Sequence, residues 1–513
     1  MPLLLGLDIG TTSVKAGIFS DTGLEHGVIR VDYDLQTPLI DHVEIDAELY
    51  WRAVCEAVGR VLNENTIPAD EVLAIAVSSQ GETIIPVDKD GRPLFPALVW
   101  LDHRARREAV MLSEALGSEV YHRTGIPDIN PSWPACKILW LKRNYTALFR
   151  STYRFMLVQD FIVQRLTGRF VTEGSIACTS LLYDITSHTW WDDALRAVGL
   201  PEDKLPELST PGADAGVLTR QSAAALGLPQ GIPVVLGGMD QAAGAVGAGN
   251  IHSEMVSETT GGALAIQVTV ENPGLDQTGR IPVYVHSAPD RYLFVPVCDT
   301  GGMALKWLRD TFHAEKMEEA QRIGKSSYDI LTEAAAKITP GCDGLLMLPH
   351  LSGAFSPEYN PDARGVFFGF SLYHRTDHFT RAVLEAVAFM MRRNLELVAV
   401  CGINAREIRS TGGGAASRLW RQIKADVCNL PVLTLRSHDT ALLGDAVLAA
   451  AAIGCYASVE EAAAAMVRTE DRLEPIPANA AVYEQAYRNY CQLNDVLDPV
   501  FRQQYGGTDH GQG

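Results

Sequence analysis

Leu3-Leu4-Leu5-Gly6-Leu7-Asp8-Ile9-Gly10-Thr11-Thr12-Ser13-Val14-Lys15 is an apolar run of strand length that ends on a carboxylate, a glycine and two threonines. A second apolar run covers 14–19, so the stretch predicts a β-hairpin with Gly10, Thr11 and Thr12 at its tip. Glycine lets the backbone bend toward a phosphate, threonines add N–H and hydroxyl donors, and a strand-end carboxylate can hold hydrated magnesium. An ordinary β-turn reads the same way. The stretch is neither G-x-x-x-x-G-K-[ST] nor G-x-G-x-x-G, which removes the two commonest nucleotide fingerprints. Beyond it, Asp46 predicts the N-cap of a helix with Trp51, Val54, Cys55, Val58, Val61 and Leu62 on one face, followed by a strand over 72–77.

Further along, Ile232-Pro233-Val234-Val235-Leu236 predicts a strand that runs into Gly237-Gly238-Met239-Asp240-Gln241. A carboxylate at that point, Asp240, stands where a general base for a hydroxyl is wanted, and equally where a helix N-cap would sit. Residues 255–270 then repeat the opening plan, two strand-like runs around Thr259-Thr260-Gly261-Gly262. Strands over 344–348 and 365–370, a long helix over 377–400 and a strand at Ile408-Arg409-Ser410-Thr411 lead to Gly412-Gly413-Gly414-Ala415. Three glycines without Cβ atoms would let a flat adenine or a phosphate lie on the backbone at a helix N-terminus, although a tight strand-to-helix turn fits equally well. The alternation gives an α/β protein of two similarly built domains, 1–249 and 250–490, flanking a catalytic cleft, with a tail over 491–513 whose last stretch, 506–513, is expected to be disordered.

A length of 513 residues suits two large domains, and 47% hydrophobic with 20% charged residues is a globular-enzyme composition. A net charge of −19 speaks against nucleic acid or an anionic membrane as partner, so any phosphate must be gripped locally. Nine scattered cysteines without a C-x-x-C pair read as free thiols in a reducing, cytoplasmic setting. The start lacks the basic segment of a secretory signal, and the most apolar stretch, 441–453, is too short for a bilayer and reads as a buried helix.

Two longer stretches carry a resemblance. Ser132-Trp133-Pro134-Ala135-Cys136-Lys137-Ile138-Leu139-Trp140-Leu141-Lys142-Arg143-Asn144 is similar at every position to the first signature of the FGGY carbohydrate kinases. Gly365-Val366-Phe367-Phe368-Gly369-Phe370, with His378-Phe379 and Ala382-Val383-Leu384-Glu385, resembles the second, with Phe370 where a smaller aliphatic is usual. Read as residues alone, both stretches also suit core helices. With the hairpin, Asp240 and the glycine turn, the chain from about 3 to 455 resembles that family, a branch of the actin-like, ribonuclease-H-like ATPases.

The resemblance implies two ribonuclease-H-like domains, ATP and Mg2+ as cofactors, and phosphorylation of a small sugar or polyol. By similarity, Asp8, Gly10, Thr11, Thr12 and Lys15 face phosphates and magnesium, Thr260, Gly261 and Gly262 form a second phosphate loop, and Gly412, Gly413, Gly414 and Ala415 take the adenosine. Asp240 corresponds to the catalytic base, and Asp8 and Asp240 approach the metal through water. Gln80, Gly81, Glu82, Asp102, Asp240 and Gln241 correspond to substrate contacts. Gln80-Gly81-Glu82-Thr83 resembles the glycerol-kinase-like Q-R-E-T without its arginine, whereas Trp100-Leu101-Asp102-His103-Arg104 resembles the xylulokinase-like W-N-D-G-R. Loss of the guanidinium is expected to leave room for a substrate larger than glycerol, a ketopentose such as D-xylulose, with tetritols, gluconate, ribulose and glycerol as alternatives. Thr259 in the first glycine position of the second phosphate loop, Gly353-Ala354-Phe355-Ser356-Pro357 in place of G-E-R-T-P, and Asp439 in place of a glutamate depart from the pattern. A non-catalytic actin-like nucleotide switch and a degenerate regulatory kinase are the competing classes. A homodimer is compatible with all three.

Overall fold

The computed structural model describes residues 2–274, 276 and 279–505. The expected tail 506–513 lies outside them. The chain forms two compact units that interleave in sequence: 1–252 with 269–293 and 439–468, and 253–268 with 294–438 and 469–513.

The first unit is built on a six-stranded mixed sheet in the order Asp214–Val217, Pro233–Met239, Val72–Ser79, Leu3–Ile9, Ser13–Ser20, Glu25–Asp32. Leu3–Ile9 pairs antiparallel with Ser13–Ser20 and parallel with Val72–Ser79, as the opening hairpin requires. Every residue of Leu3–Ile9 is buried, because this central strand is covered on both faces. Alternation sorts its side chains. Leu3, Leu5, Leu7 and Ile9, with Val14, Ala16 and Ile18, pack against the helix Ala47–Glu64, whose N-cap is Asp46 as expected. Leu4, Gly6 and Asp8 point the other way, toward the helix Thr440–Ala452. That helix sits so close that a Cβ at Gly6 would lie 2.7 Å from the Leu442 carbonyl oxygen.

The second unit repeats the plan. Met255–Thr260 and Leu264–Val270 pair antiparallel around the Thr/Gly turn, Glu407–Thr411 and Val432–Leu435 follow in parallel, and Thr469–Leu473 closes the edge antiparallel. The first unit has the same succession, ending in the antiparallel edge strand Asp214–Val217.

Two expectations need correction. The division at 249/250 misses that 269–293 and 439–468 belong to the first unit, where the apolar helix Thr440–Ala452 packs on the face carrying Leu4 and Phe19. Residues 491–505 are not a tail but the end of the helix Pro477–Tyr505, anchored by buried Tyr483, Tyr487, Tyr490 and Phe501. The glycine run is the tight strand-to-helix turn among the two readings: 413–416 form a 3-10 turn, and the helix Arg418–Cys428 follows, its N-cap Ser417 accepting from the Trp420 N–H.

Candidate active site

In the first unit the hairpin register sets Asp8 opposite Lys15 on the same face of the sheet. The Lys15 ammonium lies 3.6 Å from Asp8 and 3.0 Å from Asp439, which stands at the start of the helix Thr440–Ala452. Burial pushes the Asp8 carboxyl up to about 6, with Lys15 pulling down and Asp439 pushing up. One Asp8 oxygen, Oδ1, is buried without a hydrogen-bond partner. The hairpin tip is clamped from outside: the Gly10 carbonyl accepts from the Gln80 amide at 3.1 Å and from the Tyr33 hydroxyl, and Thr11 Oγ1 accepts from the Trp100 indole at 2.8 Å. Thr12 is exposed, leaving its hydroxyl to solvent or ligand.

Asp240 opens the helix Asp240–Gly247 directly after the strand Pro233–Met239. It is not the N-cap; Met239 is, and the Asp240 side chain accepts instead from the Gln241 N–H at 2.6 Å. The junction depends on Gly238, at φ 128°, where a Cβ would lie 2.2 Å from Ser287 Oγ and 2.5 Å from Ser175 Oγ. The Gly238 N–H donates to Gln159 and the Met239 N–H to Ser175, so buried side chains fix the direction in which Asp240 leaves the sheet. Burial, followed by the charge of Asp8, pushes Asp240 up to about 7, against the pull of the Gln241 N–H and Lys15. Gln241 Oε1 is buried and unpartnered.

Gln80 follows the strand Val72–Ser79 and is buried, its amide nitrogen also 3.1 Å from the Tyr50 hydroxyl and its oxygen unpartnered. Glu82 adopts φ 56°, and its carboxyl is pushed up to about 7 by burial and by Asp240, with Lys137 opposing. Lys137 is fully buried, donating to the carbonyls of Val99 at 2.7 Å and Glu82 at 3.0 Å, and burial pulls it down to about 7. Next to Gly81 stands Thr179: a Cβ at the glycine would lie 2.9 Å from the Thr179 methyl, and Thr179 Oγ1 accepts from the Glu82 N–H. Asp102, expected at the substrate, is fully buried and takes hydrogen bonds from the Val43 N–H and from the Arg104 N–H and guanidinium. These bonds fasten the Val43–Arg104 contact.

In the second unit Thr260, Gly261 and Gly262 join the 3-10 turn at Gly413 and Gly414 around a cavity of about 360 Å3, closed by Met303, Tyr328 and Trp420 among others. Cβ atoms built at Gly261 and Gly413 would meet nothing within 4 Å, so both backbones open onto the cavity. Gly414, by contrast, is pressed on Thr260, where a Cβ would lie 2.6 Å from the threonine Cβ. The loop is tied to the next helix by N–H bonds from Gly301 and Met303 to the Gly262 carbonyl and from Gly302 to that of Gly261. Gly412, at φ 73°, holds the bend between strand and turn, and Ala415 bonds back to its carbonyl. The two turns, with these side chains around them, form a cradle large enough for an adenine ring.

For magnesium the donor chemistry also fits. Among the described residues no group of three or more His, Cys, Asp or Glu side chains is arranged to hold a metal by itself. Asp8, whose Oδ1 is buried without a partner, and Asp240, on which the Asp8 charge acts, would hold a hydrated Mg2+, which would supply charge neutralisation there. Sequence reading missed Tyr33, Tyr50, Thr179, Gln159 and Tyr328, which sit in unrelated segments and carry no motif.

The model of the FGGY family of carbohydrate kinases, N-terminal domain, matches residues 3–247, and that of the C-terminal domain matches 259–453. The chain belongs to the FGGY family of carbohydrate kinases. It is therefore an ATP-using phosphotransferase with an alcohol group as acceptor. A gluconokinase of Bacillus subtilis is 31% identical over 502 residues, covering 98% of this chain and 97% of its own. Among solved structures, a ligand-bound xylulose kinase from Lactobacillus acidophilus superposes with a TM-score of 0.88 at 25% identity, covering 99% of both chains. A gluconate kinase from the same organism gives the same TM-score and identity over 98% of this chain and 99% of its own. An equal fit to both shows that the fold does not choose the sugar. No helix among the described residues is long and apolar enough to cross a membrane.

Proposed function

We propose that this FGGY kinase phosphorylates an uncharged polyhydroxylated substrate, a ketopentose such as D-xylulose, with Asp240 as general base. The observation that carries the choice is electrostatic. The charge of Asp240 adds to the burial that pushes Glu82 up to about 7, and burial with the charge of Asp8 pushes Asp240 up to about 7. The cations acting on them are committed: Lys15 to Asp8 and Asp439, Lys137 to two backbone carbonyls. A substrate carboxylate would meet two acidic groups whose neighbouring lysines are already engaged, whereas hydroxyls can pair with Glu82, Gln241 and Asp240 as donors and acceptors.

In this reading Asp240 takes the proton of the acceptor hydroxyl, and a proton affinity matched to neutral pH suits that task. The Gly10, Thr11, Thr12 loop and the Thr260, Gly261, Gly262 turn orient phosphate oxygens through backbone N–H groups, and Gly413 and Gly414 form the adenosine floor, with Gly412 and Ala415 lining a separate pocket on the other side of the turn. Lys15 restrains Asp8 against Asp439 and adds positive charge beside the phosphate loop. Mg2+, when bound near Asp8 and Asp240, supplies charge neutralisation of the phosphates. Positioning and charge stabilisation account for the rest of phosphoryl transfer.

The 31% identity to a gluconokinase favours gluconate as the second reading. Steady-state ADP release with D-xylulose, D-ribulose, erythritol, glycerol and D-gluconate decides between them. D-Xylulose or another neutral polyol is expected to have the highest kcat/KM. Gluconate as best acceptor would overturn the uncharged-substrate reading and leave the sugar-kinase assignment standing.

A further inference from the structure

The second unit contains an ion pair that no solvent reaches. Lys424, in the helix Arg418–Cys428, and Glu258, in the strand Met255–Thr260, have 0% exposed side chains and lie 2.5 Å apart. Their bonds converge on one hydroxyl. Thr260 Oγ1 donates to Glu258 Oε2 at 2.7 Å and accepts from Lys424 Nζ at 2.7 Å, while Ser410 donates to the other Glu258 oxygen. Lys424 also stands over the Trp420 ring, 5.3 Å from its centroid.

Such a pair is a poor source of stability, because apolar residues of similar volume usually do as well in a buried site. Its worth lies in what it holds. Thr260 is at once the last residue before the Gly261-Gly262 turn and the surface on which Gly414 rests. Fixing its side chain from two directions fixes both backbone segments of the cradle against each other. Neither Lys424 nor Glu258 is among the residues lining the cavity, so both act through Thr260.

We propose that Lys424 and Glu258 are positioning residues for the nucleotide, holding the Thr260 turn and the Gly413-Gly414 turn at the separation that ATP requires. The proposal rests on the reading of this cradle as the adenosine site. It assigns the pair an effect on nucleotide affinity and none on sugar affinity.

The decisive comparison is Glu258→Leu with Lys424→Met in one chain, against Glu258→Gln with Lys424→Met. The first removes the charges and every bond to Thr260; the second keeps an amide that can still bond it. Circular dichroism and thermal unfolding establish that each is folded. Titration calorimetry with a non-hydrolysable ATP analogue, and KM for ATP and for the sugar, are then measured. The Leu/Met chain is expected to bind nucleotide at least tenfold more weakly with sugar KM changed less than twofold, and the Gln/Met chain to recover most of the loss. A folded Leu/Met chain with nucleotide affinity within twofold of wild type overturns the proposal. If that chain does not fold, Thr260→Val against Thr260→Ser asks the same question from the other end of the bonds, and equal nucleotide affinities in those two overturn it. Gly413→Leu, which fills the cavity, separates the two levels. If it leaves nucleotide binding intact, the cradle reading falls and this inference falls with it; if it abolishes binding while the Leu/Met chain binds normally, only the positioning role is wrong.

Discussion

Replacing Asp240 by asparagine should lower activity and raise stability at the same time, and the second effect should depend on pH. The carboxyl rises from an ordinary 3.8 to about 7 in the folded protein. Each tenfold change in proton affinity is worth about 1.4 kcal/mol, so ionising Asp240 in the ligand-free protein costs about 4 kcal/mol at most. Partial access to water screens that figure, and about 2 kcal/mol is the working value. The sign follows from which state holds the proton. Below about pH 3.8 both states hold it and asparagine gains nothing. Between 3.8 and about 7 the unfolded chain releases a proton that the folded chain keeps, so the wild type loses stability as pH rises. Above about 7 the loss is complete. Asparagine does not titrate, so in EDTA its advantage should grow from near zero at pH 4 to about 2 kcal/mol at pH 8, or roughly 4–8 °C in the unfolding temperature of a large unit. Turnover should fall by about two to four orders of magnitude with nucleotide binding retained. A stability difference that does not vary with pH would refute the electrostatic argument, and more than a tenth of wild-type turnover would refute the role of general base.

Gly238→Ala should destabilise the first unit by about 2 kcal/mol or more, since its Cβ would enter the Ser175–Ser287 hydroxyl pair at φ 128°. Thermal unfolding near the wild-type temperature together with normal kcat would show that the junction tolerates a side chain. Gly81→Arg should depress kcat/KM for the sugar at least tenfold through collision with Thr179, which cannot retreat because it donates to the Ile176 carbonyl and accepts from Glu82. A harmless Gly81→Arg would mean that this wall does not border the substrate.

What the sequence determined by itself were the features that depend on neighbours a few positions apart. Strand-length apolar runs, the Thr/Gly tips and the Asp46 cap define the hairpins and the first helix, and the hairpin repeat at 255–270 gives the two-unit plan, because strand pairing across a short turn is local physics. Asp240 and the glycine turns were legible as candidates for the same reason. Tertiary structure decided what those candidates face. Lys15 meets Asp439 across 424 positions only because Gly6 lets the distant helix Thr440–Ala452 lie on the sheet. Thr179 comes to lie against Gly81, and Arg104 against Asp102, since side-chain volume and hydrogen-bond demand are satisfied by whatever the fold brings near. The pairing of Glu258 with Lys424 is likewise invisible in the chain: each is a single charge in an unremarkable context, and only the packing of a helix on a strand shuts both away from water and points them at one threonine.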